Sequence, residues 1–166
     1  AAVKIISNLE DFKNKLTHRV VTSGCGQGTT FGGIWDDLKD KNLKTDKLKQ
    51  SSIYKILKLL HDKNEIYRQS GAVHGCAICD ENNIIDFIED VGRHNAVDAI
   101  AGNMWLNSIN SRNKIFYTTG RLTSEMVIKV AQMDISYLIS RSGITEMGLN
   151  VAKETGVTLI GRAKGR

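Results

Sequence analysis

Two stretches of this 166-residue chain hold residue types that do chemistry. The first is the run Glu89-Asp90-Val91-Gly92-Arg93-His94-Asn95-Ala96-Val97-Asp98. It sets acid, glycine, guanidinium, imidazole and amide within one turn, more functional groups than folding alone asks for. His94 is the candidate here for a ligand contact or proton transfer. The second stretch is Thr22-Ser23-Gly24-Cys25-Gly26-Gln27-Gly28, where glycines flank a cysteine with no acid nearby. An exposed thiol on an adaptable loop suits a carrier that must meet a donor and then an acceptor. A free cysteine with no role fits the same local residues equally well.

Three further turns share one chemistry. Thr118-Thr119-Gly120-Arg121, Ser140-Arg141-Ser142-Gly143 and Gly161-Arg162-Ala163-Lys164-Gly165-Arg166 each follow a short apolar segment. Glycine lets backbone approach a ligand, helix N-termini offer N–H donors, and arginine binds phosphate with two parallel donors. Together they predict a pocket for a phosphorylated or nucleotide-like ligand. Any one of them alone is equally a solvated turn. His74-Gly75-Cys76 with Cys79 invites a metal reading, but a strand puts 74 and 76 on one face and 79 on the other. With no fourth ligand nearby, zinc is not expected, and Cys76 and Cys79 are read as small core residues. His18 and His61 carry no signal.

The elements that must position these groups follow from periodicity. A strand at 3–6 and a short helix around 9–16 precede the glycine-rich loop. Thr45 is the expected N-cap of a helix whose Ile53, Ile56, Leu57 and Leu60 make one stripe. Strands at 72–79 and 84–89 form a hairpin around Asp80-Glu81-Asn82-Asn83. In a helix over 95–107, Val97, Ile100, Ala101 and Met104 fall on one face. Strands at 114–118, 136–139 and 157–160 alternate with helices over 123–133 and 145–155, N-capped by Thr123 and Thr145, with Gly156 ending the second. That alternation predicts a three-layer α/β/α domain with a largely parallel mixed sheet. Residues 1–44 read as an N-terminal segment carrying the cysteine loop, and 45–166 as the α/β ligand-binding core of what is one structural domain overall. Trp35 and Trp105 are assigned to core packing rather than to an interface.

Composition sets the outer bounds. Hydrophobic residues make up 41% and charged residues 25%, ordinary values for a globular protein. No apolar run nears the roughly 20 residues that cross a bilayer, so no membrane partner is expected. Three cysteines do not make a secreted disulfide framework, which points to the reducing cytoplasm. The net charge of +5 gathers in the mixed lysine-rich segment 39–63. A solvated helix face accounts for that better than a nucleic-acid stripe, and nucleic acid is not an expected partner. The chain contains no proline.

Taken together, Glu89 to Asp98, Gly120-Arg121-Leu122-Thr123-Ser124-Glu125, Ser140-Arg141-Ser142 and Thr158-Leu159-Ile160-Gly161 resemble the formate dehydrogenase accessory sulfurtransferases of FdhD type. Ser70-Gly71-Ala72-Val73-His74 resembles that family's strand before the hairpin, and the likeness runs from about residue 20 to 166. The resemblance implies a cytidine-deaminase-like fold, a homodimer and a sulfur-carrier role. Members take sulfur from a cysteine desulfurase as a persulfide and pass it to the molybdenum cofactor, a molybdopterin guanine dinucleotide, for formate dehydrogenase. On that likeness Cys25 is the persulfide cysteine. The cofactor would lie on Gly120, Arg121, Ser140, Arg141, Ser142, Arg162, Ala163, Lys164, Gly165 and Arg166 with His94, and a guanine nucleotide would mimic it. One departure bears on mechanism: the family's loop usually holds Cys-x-x-Cys, and in this sequence Gly28 stands at the second place. A lone thiolate can still carry a persulfide. The sequence also lacks the family's usual extra N-terminal region and short C-terminal extension, so the chain is expected to be a trimmed form. Zinc deaminase chemistry is not implied, because no proline-cysteine segment exists and Cys76 stands where glutamate would. The alternative function is a chaperone that holds the molybdenum cofactor without covalent sulfur chemistry; a metal-dependent hydrolase would need a bound metal.

Overall fold

Helix α1 (Gln50–Lys63) lays Ile56, Leu57 and Leu60 against a sheet, and all three are buried. Their i, i+1, i+4 spacing is one face of a helix. Burial of each such side chain contributes about 1.5–3 kcal/mol. The computed structural model describes Leu38, residues 41–43 and residues 47–164. The chain divides into two compact units, Ala1–Asp40 and Lys41–Arg166, and the sheet and its helices belong to the second. Cys25, Trp35, Thr45, Gly165, Arg166 and the elements expected before residue 22 lie outside the described residues. Thr45 is not the N-cap of α1: the helix starts at Gln50 with Lys49 in the cap position. A lysine there makes no side-chain capping bond, so sequence chemistry does not mark this boundary.

A second helix, α2 (Glu65–Ser70), has no signal in the sequence; it spans six residues, too few to display a period, and buries none. It leads into β1 (His74–Cys79) and β2 (Ile84–Asp90), paired antiparallel. Asp80 makes the turn between them, its Oδ1 accepting the N–H groups of Asn82 and Asn83, both at 2.7 Å. Helix α3 (Arg93–Leu106) follows, then β3 (Ile115–Thr118), α4 (Ser124–Gln132), β4 (Tyr137–Ser140), α5 (Glu146–Thr155) and β5 (Thr158–Ile160). The sheet order is β2-β1-β3-β4-β5; β1 is antiparallel to both neighbours, while β3, β4 and β5 are parallel. Four of the five strands therefore run the same way, as the expected mixed, largely parallel α/β sheet requires.

Period-two alternation divides each strand between two layers. Ala77, Cys79, Ile115, Tyr117 and Ile139 meet α1 on one face. Cys76 points to the other, where its Sγ lies 4.0 Å from Arg93 O at the start of α3. There α3 packs on β1 and β2, α4 on α3, and α5 on α4, giving the third layer. Helix α3 begins at Arg93 behind a Gly92 N-cap, two residues earlier than the periodicity indicates, and buries Ala96, Val97, Ile100 and Met104. Trp105 is 81% exposed, which corrects its assignment to the core. One position beyond Met104 lies about 100° around the helix, away from the buried stripe. Thr145 caps α5 as expected, accepting Gly148 N–H at 3.1 Å. Thr123 occupies the N-cap of α4 without a capping bond.

The α5–loop contact yields a test. A Cβ on Gly148 would stand 2.5 Å from Leu122 O, a main-chain atom that cannot swing aside, whereas a Cβ on Gly102 in α3 meets nothing within 4 Å. Gly148→Ala should destabilise the protein by about 1–3 kcal/mol. Gly102→Ala should stabilise it by about 0.5–1 kcal/mol. Urea unfolding of both variants measures the contrast.

Candidate functional site

The common direction of β2, β3, β4 and β5 gathers their carboxyl ends on one edge of the sheet, and antiparallel β1 brings its first residue, His74, to the same edge. Such edges are where α/β proteins hold ligands. Two hydroxyls stitch the edge together. Thr118 Oγ1 accepts Gly120 N–H at 3.0 Å. Ser140 Oγ donates to Gly120 O at 2.5 Å and accepts Ser142 N–H at 2.9 Å. Main-chain bonds complete the set: Arg141 N to Thr118 O at 3.2 Å, Arg162 N to Ser142 O at 2.8 Å, and Ala163 N to Ser140 O at 2.8 Å. Gly120 and Ser140 are consequently buried within this lattice. They fix the site rather than face it.

On the α1 side of that edge lies a cleft. A cavity of about 280 Å³ is lined by Tyr54, Leu57, Lys58 and His61 of α1, with Tyr117, Arg141, Ala163 and Lys164 from the strand ends. A second cavity of about 440 Å³ shares Tyr54, Leu57, Ala163 and Lys164 and adds Arg162. Among the described residues neither lining contains an acid. Lys58, Arg141, Arg162 and Lys164 therefore give the cleft one sign of charge, which favours an anion. Burial pushes the Tyr117 phenol above its ordinary pKa, outweighing the nearby Arg141; it stays a neutral hydrogen-bonding group. The structure thus gathers Arg141, Arg162, Ala163 and Lys164, as the sequence indicates, and leaves out exposed Arg121. Ser142, half-buried, is engaged with its neighbours through its backbone. Sequence reasoning misses Lys58 and His61 because the lysine-rich segment reads as a solvated face. The available signal was Tyr54, Lys58 and His61 at i, i+4 and i+7, one stripe beside the buried one. A further cavity of about 490 Å³ sits at the opposite ends of β3 and β4, where Glu81 and Asp134 mix with Arg112 and Lys114; its lining has no single charge.

The 89–98 run lies at the same edge, and most of its groups are engaged there. Glu89 accepts the N–H groups of Tyr67 at 2.7 Å and Ile66 at 3.2 Å, capping α2. Asp90 Oδ1 accepts Gly92 N–H at 2.7 Å and Asn95 Nδ2 at 3.2 Å, turning β2 into α3. Asp98 pairs with Lys129 at 2.5 Å and ties α3 to α4. His94 donates from Nε2 to Glu125 at 3.1 Å. Burial lowers the His94 pKa, Arg93 and Lys129 lower it further, and Glu125 and Asp98 oppose them. Burial, then Arg93, lowers that of His74 as well. The buried His74 Nδ1 and Arg93 Nε make no hydrogen bond among the described residues. His94 and its partners belong to the α3–α4 layer and line neither cavity of the α1 cleft.

Two of the three cysteines are settled by burial. Cys76 and Cys79 are fully enclosed and unpaired, on opposite faces of β1. Burial pushes both thiols up to about 12, with Asp90 adding at Cys76 and Asp80 at Cys79. A thiol held neutral is a poor nucleophile and a poor metal ligand. Among the described residues no group of three His, Cys, Asp or Glu side chains is arranged to hold a metal ion. Among them also, no helix is long and apolar enough to cross a membrane.

A sequence profile described as the FdhD/NarQ family matches residues 1–166. The sulfur carrier protein FdhD of Bacillus pumilus is 33% identical over 167 residues, covering 99% of this chain and 63% of its own length. That of Bacillus subtilis is 33% identical over 147 residues, covering 87% of this chain and 56% of its own length. A crystal structure from Desulfotalea psychrophila, of a protein described as a candidate formate dehydrogenase accessory protein, superposes with a TM-score of 0.69 at 33% identity, over 77% of this chain and 57% of that one. The chain spans less than two thirds of the length of these relatives.

The burial of these groups has two measurable outcomes. In the folded chain Cys76 and Cys79 should resist iodoacetamide at pH 8 and react once urea is added; peptide mapping by mass spectrometry reads both. The two histidines set an acid limit. With folded pKa values below the unfolded 6.5, the unfolded chain binds more protons, so stability is full above pH 6.5 and falls as pH drops through the depressed values. Urea midpoints should decline below pH 6.5, and a His74→Gln/His94→Gln double variant should flatten that decline.

Proposed function

Because the chain belongs to the FdhD/NarQ family, we propose that it is a sulfur carrier in formate dehydrogenase maturation. Cys25 takes sulfur from a cysteine desulfurase and delivers it to the molybdenum cofactor, bound as molybdopterin guanine dinucleotide. The observation that carries this reading is the cleft on the α1 side, whose lining among the described residues holds Lys58, Arg141, Arg162 and Lys164 and no acid. Gly165 and Arg166 extend the same cationic segment in sequence. A dinucleotide's phosphates are the multiply charged anion such a surface favours, with arginine giving planar paired donors and lysine a point charge.

The thiol assignment follows the family likeness at Cys25, and the burial of the other two cysteines supports it. Cys76 and Cys79 are enclosed and held neutral, which leaves Cys25 among the three cysteines. In the loading step the Cys25 thiolate attacks the outer sulfur of the desulfurase persulfide. The S–S bond breaks, the electron pair leaves on the desulfurase cysteine, and no net oxidation occurs. With Gly28 in place of a second loop cysteine, the loop sequence supplies no second thiol to resolve the new persulfide, and the cofactor is its acceptor. The unpaired Cys76 and Cys79 suit a cytoplasmic setting, and a homodimer is part of the same reading.

Intact-protein mass after incubation with a cysteine desulfurase and free cysteine tests the proposal. The expected result is one or more added sulfurs on the native chain, removed by reductant and lost in Cys25→Ser. The same substitution should abolish formate dehydrogenase maturation while leaving the fold intact. A folded native chain that binds guanine nucleotide yet gains no sulfur would replace the carrier by a non-covalent cofactor chaperone.

A further inference from the structure

Arg141 enters the cleft from the end of β4, and two aromatic groups lie beside it there. Its guanidinium lies 5.9 Å from the centroid of the Tyr67 ring, within the range of a cation–π contact. Its side chain also lines the same cavity as the buried Tyr117 phenol and opposes the rise of that phenol's pKa. Tyr67 belongs to α2, whose six residues are too few to hold a helix in water unaided, and Asn64 in its N-cap position makes no capping bond. The first turn is held instead from the sheet: the Glu89 carboxylate accepts Tyr67 N–H at 2.7 Å and Ile66 N–H at 3.2 Å. Glu89 is itself fixed, paired in register with Gly75 of β1. On the far side Asn64 is fully buried and donates to Leu60 O at 2.6 Å and to Tyr117 OH at 3.4 Å.

We propose that Glu89 and Tyr67 form a positioning relay, in which Glu89 fixes α2, α2 presents the Tyr67 ring, and the ring orients the Arg141 guanidinium for a nucleotide phosphate. The relay rests on the reading of the cleft as the nucleotide site. Neither Glu89 nor Tyr67 lines that cleft; both act through Arg141. An arginine without the ring keeps its charge but samples more rotamers, and binding must then order it. The relay also gives the first acid of the 89–98 run a task that reaches the opposite layer of the domain.

Calorimetric titration of the 166-residue chain with GDP tests this. Arg141→Gln should weaken binding. Tyr67→Leu should weaken it about three- to ten-fold, the range of a partly desolvated cation–π contact, and Tyr67→Phe, which keeps the ring, should bind as the parent does. Glu89→Ala should weaken binding like Tyr67→Leu, and neither change should add to Arg141→Gln. A purely structural role for Tyr67 would not give that non-additivity. Parent-like binding by Tyr67→Leu alongside weakened binding by Arg141→Gln would overturn the relay. A folded parent with no GDP binding would instead overturn the reading of the cleft. The relay then faces a ligand-free measurement: the Arg141 Hδ resonances should be shifted upfield by the Tyr67 ring, and the shift should vanish in Tyr67→Leu and Glu89→Ala. No such shift in the parent would overturn the relay on its own.

Discussion

The edge of this sheet depends on two hydroxyls that tie its loops to the strand ends. Thr118 and Ser140 each sit at the last residue of a parallel strand, where the ladder ends and main-chain groups would otherwise be left without partners. Thr118 Oγ1 accepts from Gly120 N–H and from the Cys76 thiol at 3.3 Å; Ser140 Oγ bonds Gly120 O and Ser142 N–H. Each loop is therefore bonded to its neighbour before it reaches solvent. An alanine at either position would leave buried main-chain groups unsatisfied, at a cost of about 1–3 kcal/mol each. The cations of the cleft stand on this frame, which is why they can hold fixed places on otherwise short, exposed turns.

The edge has two chemically distinct sides. Toward α1 it is cationic and open, with Arg141, Lys164 and Lys58 around cavities whose described lining has no acid. Toward α3 and α4 it is a network of compensated charge, with Asp98 on Lys129 and Glu125 on His94. Among the described residues four cations, Lys58, Arg141, Arg162 and Lys164, line one cleft with no acid beside them in its lining. An unpaired cation beside a low-dielectric wall is felt further than one in open solvent.

Local chemistry made much of this legible in the sequence. Thr145, Gly156 and the Asp80 turn act where their residue types predict, because caps and turns are decided by a few neighbouring atoms. The parallel order of β3, β4 and β5 follows from their alternation with helices. What was hidden depends on distant partners. Helix α2 exists where Glu89, 22 residues beyond Tyr67, supplies its cap, so no local window could show it. The lattice roles of Gly120 and Ser140 were hidden for the same reason: glycine and serine look alike whether they cradle a ligand or a neighbouring loop. Trp105 shows the opposite error, where residue type was trusted over helical phase. The cysteine loop lies outside the described residues, so the structure bears on Cys25 only through the enclosure of Cys76 and Cys79.

Among the described residues β2 lies at one border of the sheet and three-residue β5 at the other. A free border strand is a template on which a foreign strand can add, and the usual outcome is aggregation. Strand β2 is poorly suited to that role. It carries Asp86, Glu89 and Asp90 among its seven residues, and Asp86 Oδ1 accepts Phe87 N–H at 2.8 Å, so a main-chain donor is already taken. An incoming strand would have to desolvate three carboxylates and displace that bond. The acids that organise the turn into α3 and the cap of α2 thereby also keep separate copies of the chain from zipping together along their borders.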